Sequence, residues 1–148
     1  MMELVKIAPD WEGFIEYEAS LDFDDDNSHA RRAAETAIAA FHRVSLVREE
    51  GYAELRLAEL EFARNKERRA FVNYDNALRL FRTADGSQRE VAQTLLTIAQ
   101  KHLAGGDVKA ASSRLQIAQK EIEATGSPKD LVAMFEELQK QVGSAENP

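Results

Sequence analysis

Apolar side chains recur at intervals of three and four along nearly the whole chain, and glycine and proline stand mainly where that rhythm breaks. Such spacing lays one stripe along one side of an α-helix, whereas a half-buried strand alternates at every second residue. The clearest stripe is Ala70, Phe71, Tyr74, Ala77, Leu78 and Phe81. Seven glycines and three prolines punctuate the sequence into about seven segments of this kind. The chain reads as all-α. Its one strand-like fragment, Leu4-Val5-Lys6-Ile7, has no second strand with which to pair.

The first helix is predicted over Asp10 to Leu21, started by Pro9-Asp10, with Trp11, Phe14, Ile15 and Leu21 on its apolar side. Asp22-Phe23-Asp24-Asp25-Asp26 connects it to a long second helix, capped by Asn27 or Ser28 and ending near Glu50. That helix offers Ala30, Ala33, Ala34, Ala37, Phe41, Val44 and Val47, a face small enough for close approach of a neighbour. Gly51 breaks or bends the run. A third helix, Tyr52 to Arg64, spreads Leu55, Leu57, Ala58, Leu60 and Phe62 around its circumference, which predicts burial between two neighbours. The Asn65-Lys66 turn leads to a fourth helix ending at Thr83, and Asp85-Gly86-Ser87 to a fifth ending at Ala104. Gly105-Gly106-Asp107 ends that helix and caps a sixth carrying Val108, Ala111, Leu115, Ala118 and Ile122. Gly126 stops it. Ser127-Pro128-Lys129-Asp130 is a capping sequence for a last helix through Leu131, Met134, Phe135, Leu138 and Val142.

A length of 148 residues suits one domain, with an acidic helix and linker over 1–27, helix pairs over 28–124 and a capping helix over 127–142. Cysteine is absent, which removes disulfides and thiolate metal sites and is compatible with a reducing compartment. Residues 1–28 hold nine acids against one base, a net −8, so residues 29–148 carry +1 of the total −7. The acidic end should repel nucleic acid, and the remainder has no general attraction for phosphate. No run has the length and apolarity of a signal peptide or membrane span, and a cytoplasmic location is expected.

Short connections predict antiparallel neighbours. The pattern also repeats: Ala70-x3-Tyr74-x2-Ala77-Leu78 returns 41 residues later as Ala111-x3-Leu115-x2-Ala118. Upstream, Leu95-x2-Ile98-Ala99-x2-His102 stands opposite Glu54-x2-Leu57-Ala58-x2-Glu61, and Gly106 precedes the second copy. With Ala70, Tyr74, Ala77, Ala99, Gly106, Ala111 and Ala118 in these places, the chain resembles the tetratricopeptide repeat family, in a long-helix form with a period near 40 residues. The resemblance covers residues 52–124, with a further copy upstream at Ala34-x3-Ile38 in which Phe41 takes a small-residue position. Glu54 and Glu61 depart from the family pattern. A plain helical bundle is the rival architecture.

The resemblance implies a short right-handed α-solenoid of antiparallel helix pairs, acting as a protein–protein interaction module of the adaptor, scaffold or chaperone-like kind. It implies a concave groove lined by Tyr52, Leu55, Glu59 and Phe62 from one pair and by Gln93, Leu96, Gln100 and Leu103 from the next. Leu55 and Glu59 replace the Lys and Asn of the carboxylate clamp found in chaperone-binding members. The alternative function is a self-associating structural or regulatory module.

Other chemistry reads as structural. His29, His42 and His102 are scattered, with neither a Glu-x-x-His nor a His-Glu-x-x-His pattern, and His102 falls on a packing stripe. Asp22 to Asp26 resembles the start of a calcium loop, yet Asn27 and Ala33 occupy the positions of its glycine and closing acid. No nucleophile elbow or phosphate loop occurs, so no enzyme, cofactor or metal is expected. Arg64, Lys66, Arg68 and Arg69 cluster around a turn, and Arg68, Arg79 and Arg82 share a helix face; Glu61, Glu67 and Asp75 interrupt this basic patch. A solvated face is its plain reading; docking of an acidic peptide, of the acidic N-terminus or of nucleic acid is the functional one. Residues 10–26 are expected to fold back, laying Trp11 and Phe14 on the core and the acids against the basic turn.

Overall fold

The computed structural model describes residues 2–22 and 28–146. Seven helices and no strand occur among the described residues: α1 (Met2–Asp22), α2 (Ser28–Arg43), α3 (Val47–Ala63), α4 (Glu67–Thr83), α5 (Gln88–Ala104), α6 (Val108–Ala124) and α7 (Lys129–Glu146). The chain divides into two compact units, Met1–Ala84 with α1 to α4 and Asp85–Pro148 with α5 to α7.

Two boundaries differ from expectation. α1 begins at Met2, not Asp10, and absorbs both the strand-like fragment and Pro9. Without a sheet to join, a helix is the conformation that satisfies those backbone groups locally. The break after α2 falls at Val44-Ser45-Leu46, not at Gly51, so Val44 and Val47 do not share a helix.

The reason for the second difference is the turn chemistry. At this break the Leu46 N–H donates to Phe41 O at 3.0 Å and the Ser45 N–H to His42 O at 3.2 Å. Ser45 takes a left-handed φ of 59°. This is the Schellman ending, usually completed by glycine. The same pair of bonds ends α3 around Asn65, α5 around Gly106 and α6 around Gly126. Gly51 instead lies inside α3, where an added Cβ would stand 2.7 Å from Cε1 of Phe81. It is a notch that admits a ring from α4. Gly13 does the same for Phe41, with a Cβ that would stand 2.5 Å from the ring.

In the first unit α1 packs on α2, α2 on α3 and α3 on α4, and α1 also touches α3. Three-residue turns, 44–46 and 64–66, reverse the chain, so α2 and α3, and α3 and α4, run antiparallel. Ala30, Ala34 and Leu60 form one buried cluster, with Leu57 against it; Ala37, Phe41 and Ala53 form another, joined by Tyr17, Ile38 and Leu46. In the second unit α5 packs on α6 and on α7, and α6 on α7, through Ala111, Leu115, Ala118, Ile122, Leu131, Phe135, Leu138 and Val142 among the buried side chains.

The even-numbered helices share one stripe. Ala30, Ala34, Ala37 and Phe41 on α2 correspond to Ala70, Tyr74, Ala77 and Phe81 on α4 and to Ala111, Leu115, Ala118 and Ile122 on α6, and all are buried. The upstream copy therefore starts at Ala30, and Phe41 occupies the position of Phe81, correcting the expected register. Alanines bring the backbones close, and the large residue at the end of each stripe fills the space beyond; full burial of such a side chain contributes roughly 1.5–3 kcal/mol.

Candidate functional site

The expected groove residues have unequal fates. Tyr52 and Phe62 turn their rings onto α4: Tyr52 meets Phe81 edge-on at 5.2 Å, and Phe62 meets Phe71 at 5.3 Å. Leu55 is half-buried and Glu59 exposed. On α5, Gln93 and Gln100 are exposed, Leu103 is half-buried and Leu96 is wholly buried, so Leu96 packs and does not present a side chain. The two sets belong to separate units.

Between those stripes α3 carries polar residues that the packing engages one by one. Arg56 donates Nε and Nη2 to the carbonyl of Ser20 at 3.1 and 2.8 Å. It thereby brings positive charge to the C-terminal end of α1, where the helix dipole favours it. Glu54 accepts from Nδ2 of Asn73 at 2.9 Å and of Asn76 at 3.4 Å. Burial nevertheless raises its carboxyl above the ordinary value, the amide bonds opposing that shift and Glu50 adding to it. Glu50 lies 3.3 Å from Nδ1 of the exposed His42.

Glu61 is the most enclosed of these acids, its side chain 3% exposed. Arg31 of α2 reaches its Oε1 at 3.0 Å, Arg64 approaches at 3.6 Å, and Arg69 of α4 approaches Oε2 at 3.9 Å. Beside this group opens a cleft of about 560 Å³, lined by Arg31, Glu35, Leu57, Glu61, Arg68, Arg69, Val72 and Asn73. Arg68 makes no ion pair with a described residue, and Val72 is 56% exposed. The basic face thus divides. Arg64, Arg68 and Arg69 gather near Glu61, while Arg79 and Arg82 lie toward the other end of α4, and Arg79 acts electrostatically on Glu54.

A third surface is the outer side of α1. Trp11 (60%), Phe14 (43%), Ile15 (62%) and Leu21 (46%) are four of the six exposed large hydrophobic residues among those described. Phe14 does reach the core, edge-on to Phe41 at 5.0 Å. Trp11 does not, contrary to expectation. Nor does Glu12 meet the basic turn: it pairs with Arg43 of α2 at 2.9 Å. Asp24 to Asp26 lie outside the described residues.

Burial also raises the phenol of Tyr74 well above its ordinary range, and its hydroxyl has no hydrogen-bond partner among the described residues. The Tyr17 phenol is raised by burial and by the nearby Glu59. In the second unit Arg89 pairs with Asp130, holding that carboxyl below the ordinary range. Among the described residues no three His, Asp or Glu side chains are grouped to hold a metal ion, and no helix is long and apolar enough to cross a membrane. No family model matches the chain, and neither a curated protein nor a solved structure matches it.

Sequence reasoning named Arg64 of the α3–α4 turn and Arg68 and Arg69 of α4 but missed Arg31 and Val72. Glu61 was visible only as an interruption of the patch. The signal lay in the helix pairing, which brings the first turn of α2 to the α3–α4 turn.

Proposed function

We propose that the chain is a protein-interaction module of the tetratricopeptide type, acting in the cytoplasm without catalytic chemistry. The exposed apolar side of α1 carries this reading. Large hydrophobic side chains grouped on one helix, with tryptophan among them, are the usual anchors of a protein interface.

The partner is argued from charge. Glu18 stands among Trp11, Phe14, Ile15 and Leu21, and residues 11–21 hold three acids and no base. Two copies of this face would oppose acid to acid, so the fitting occupant is an apolar helix ridge flanked by lysine or arginine on a different protein.

Affinity capture with the wild-type chain and with a Trp11→Ser/Ile15→Ser variant tests this, beside sedimentation of the chain alone. We expect a partner retained by the wild type and lost by the variant, and a monomer in solution. Equal capture by both overturns the reading, and a dimer dissolved by the double substitution replaces it with self-association.

A further inference from the structure

The cleft beside Glu61 is independent of the α1 face, and its composition is specific. One wall is cationic: Arg31, Arg68 and Arg69 line it, and Arg64 stands behind Glu61. Another is apolar, built from half-buried Leu57 and exposed Val72. The charges are not equally spent. Glu61 already draws in Arg31, Arg64 and Arg69, and Glu35 lies 3.8 Å from Arg31 at the rim. Arg68 has no such counter-ion among the described residues, so the side chains that line the cleft keep positive charge after their pairing with Glu61 and Glu35. Guanidinium groups recognise planar carboxylates in paired hydrogen bonds, and the internal salt bridges hold two of these arginines in place before anything binds.

We propose that this cleft docks an acidic peptide segment bearing one aliphatic or aromatic side chain. Its carboxylates engage Arg68 and compete with Glu35 for Arg31. Its apolar side chain lies on Leu57 and Val72. A cavity of about 560 Å³ holds a few side chains, which suits a short linear segment and not a folded surface. An apolar wall beside the charges favours a peptide over a phosphate backbone, which would have no use for Val72.

The probe is a fluorescein-labelled peptide of alternating Asp and Glu around one central Leu, titrated with the full chain and followed by anisotropy. Arg68→Gln should weaken binding by about tenfold, the loss of one charge-assisted contact. Val72→Ser should weaken it several-fold, and the same peptide with Ser for Leu should be weakened alike and become insensitive to Val72→Ser. Lys140→Gln on α7 should leave binding unchanged. All three altered residues are exposed, so circular dichroism should show intact helices. Absent binding, or binding indifferent to Arg68→Gln and Val72→Ser, overturns the proposal. Displacement of the peptide by an RNA oligonucleotide of equal charge, with no response to the central Leu, overturns it in favour of a nucleic-acid site.

Discussion

Glycine 51 shows how a single residue can carry opposite meanings in sequence and structure. In a helix interior, replacing glycine by alanine normally stabilises by about 0.5–1 kcal/mol. At Gly51 the new methyl would enter the ring of Phe81, itself buried and unable to withdraw. At Gly143 of α7 an added Cβ meets nothing within 4 Å. Gly51→Ala is therefore expected to lower the urea midpoint, and Gly143→Ala to raise it, the first through overpacking of about 1–3 kcal/mol and the second through helix propensity. Chemical denaturation of the two variants checks the pair, and a shift in the same direction for both contradicts the packing. The stripe ending in Phe81 was legible because its spacing is periodic. The notch at Gly51 was not, because a glycine that admits a ring and a glycine that ends a helix look alike in one dimension. Ser45 shows the converse, since a left-handed serine carries no sequence mark of the turn it makes.

Among the elements, α3 is the one whose surroundings explain its sequence. Its apolar residues spread around the circumference, and that spread correctly signalled burial between neighbours. Glu54 and Glu61 were read as departures from a repeat pattern. In the structure Glu50 meets α2, Glu54 meets α4, Arg56 meets α1, and Glu61 meets both α2 and α4. Each contact depends on which helices lie adjacent, which is why no local rule exposed it. Glu54 gives a pH test. Because burial raises its folded pKa above the reference of 4.5, the folded state holds the proton more tightly than the unfolded chain. Stability from this group is then highest below the unfolded pKa and falls as pH rises through the folded one. Glu54→Gln keeps an acceptor for Asn73 and removes that fall. Its melting temperature relative to wild type should rise between pH 4.5 and pH 7. A difference independent of pH would mean that the carboxyl is not destabilised by its surroundings.

For the whole molecule, the sequence announced an all-helical chain and a period near 40 residues, and the buried stripes of α2, α4 and α6 repeat on that period. The charge asymmetry was equally plain, with the acids concentrated before α2. What it did not disclose was where the surface is sticky. Trp11 and Ile15 look like core residues in a one-dimensional pattern, and only the packing of α1 against α2 and α3 through Gly13, Phe14, Tyr17 and Ser20 leaves them outside. The central claim is that this outer side of α1 meets another protein. Its most direct test places the photo-crosslinking residue benzoylphenylalanine at position 15 and irradiates the full chain in lysate of the cells that make it. A discrete adduct with a different polypeptide is expected, lost when Trp11→Ser is added or the crosslinker is moved to position 140. Adducts only with further copies of the chain, or the same adducts from both positions, would contradict that claim.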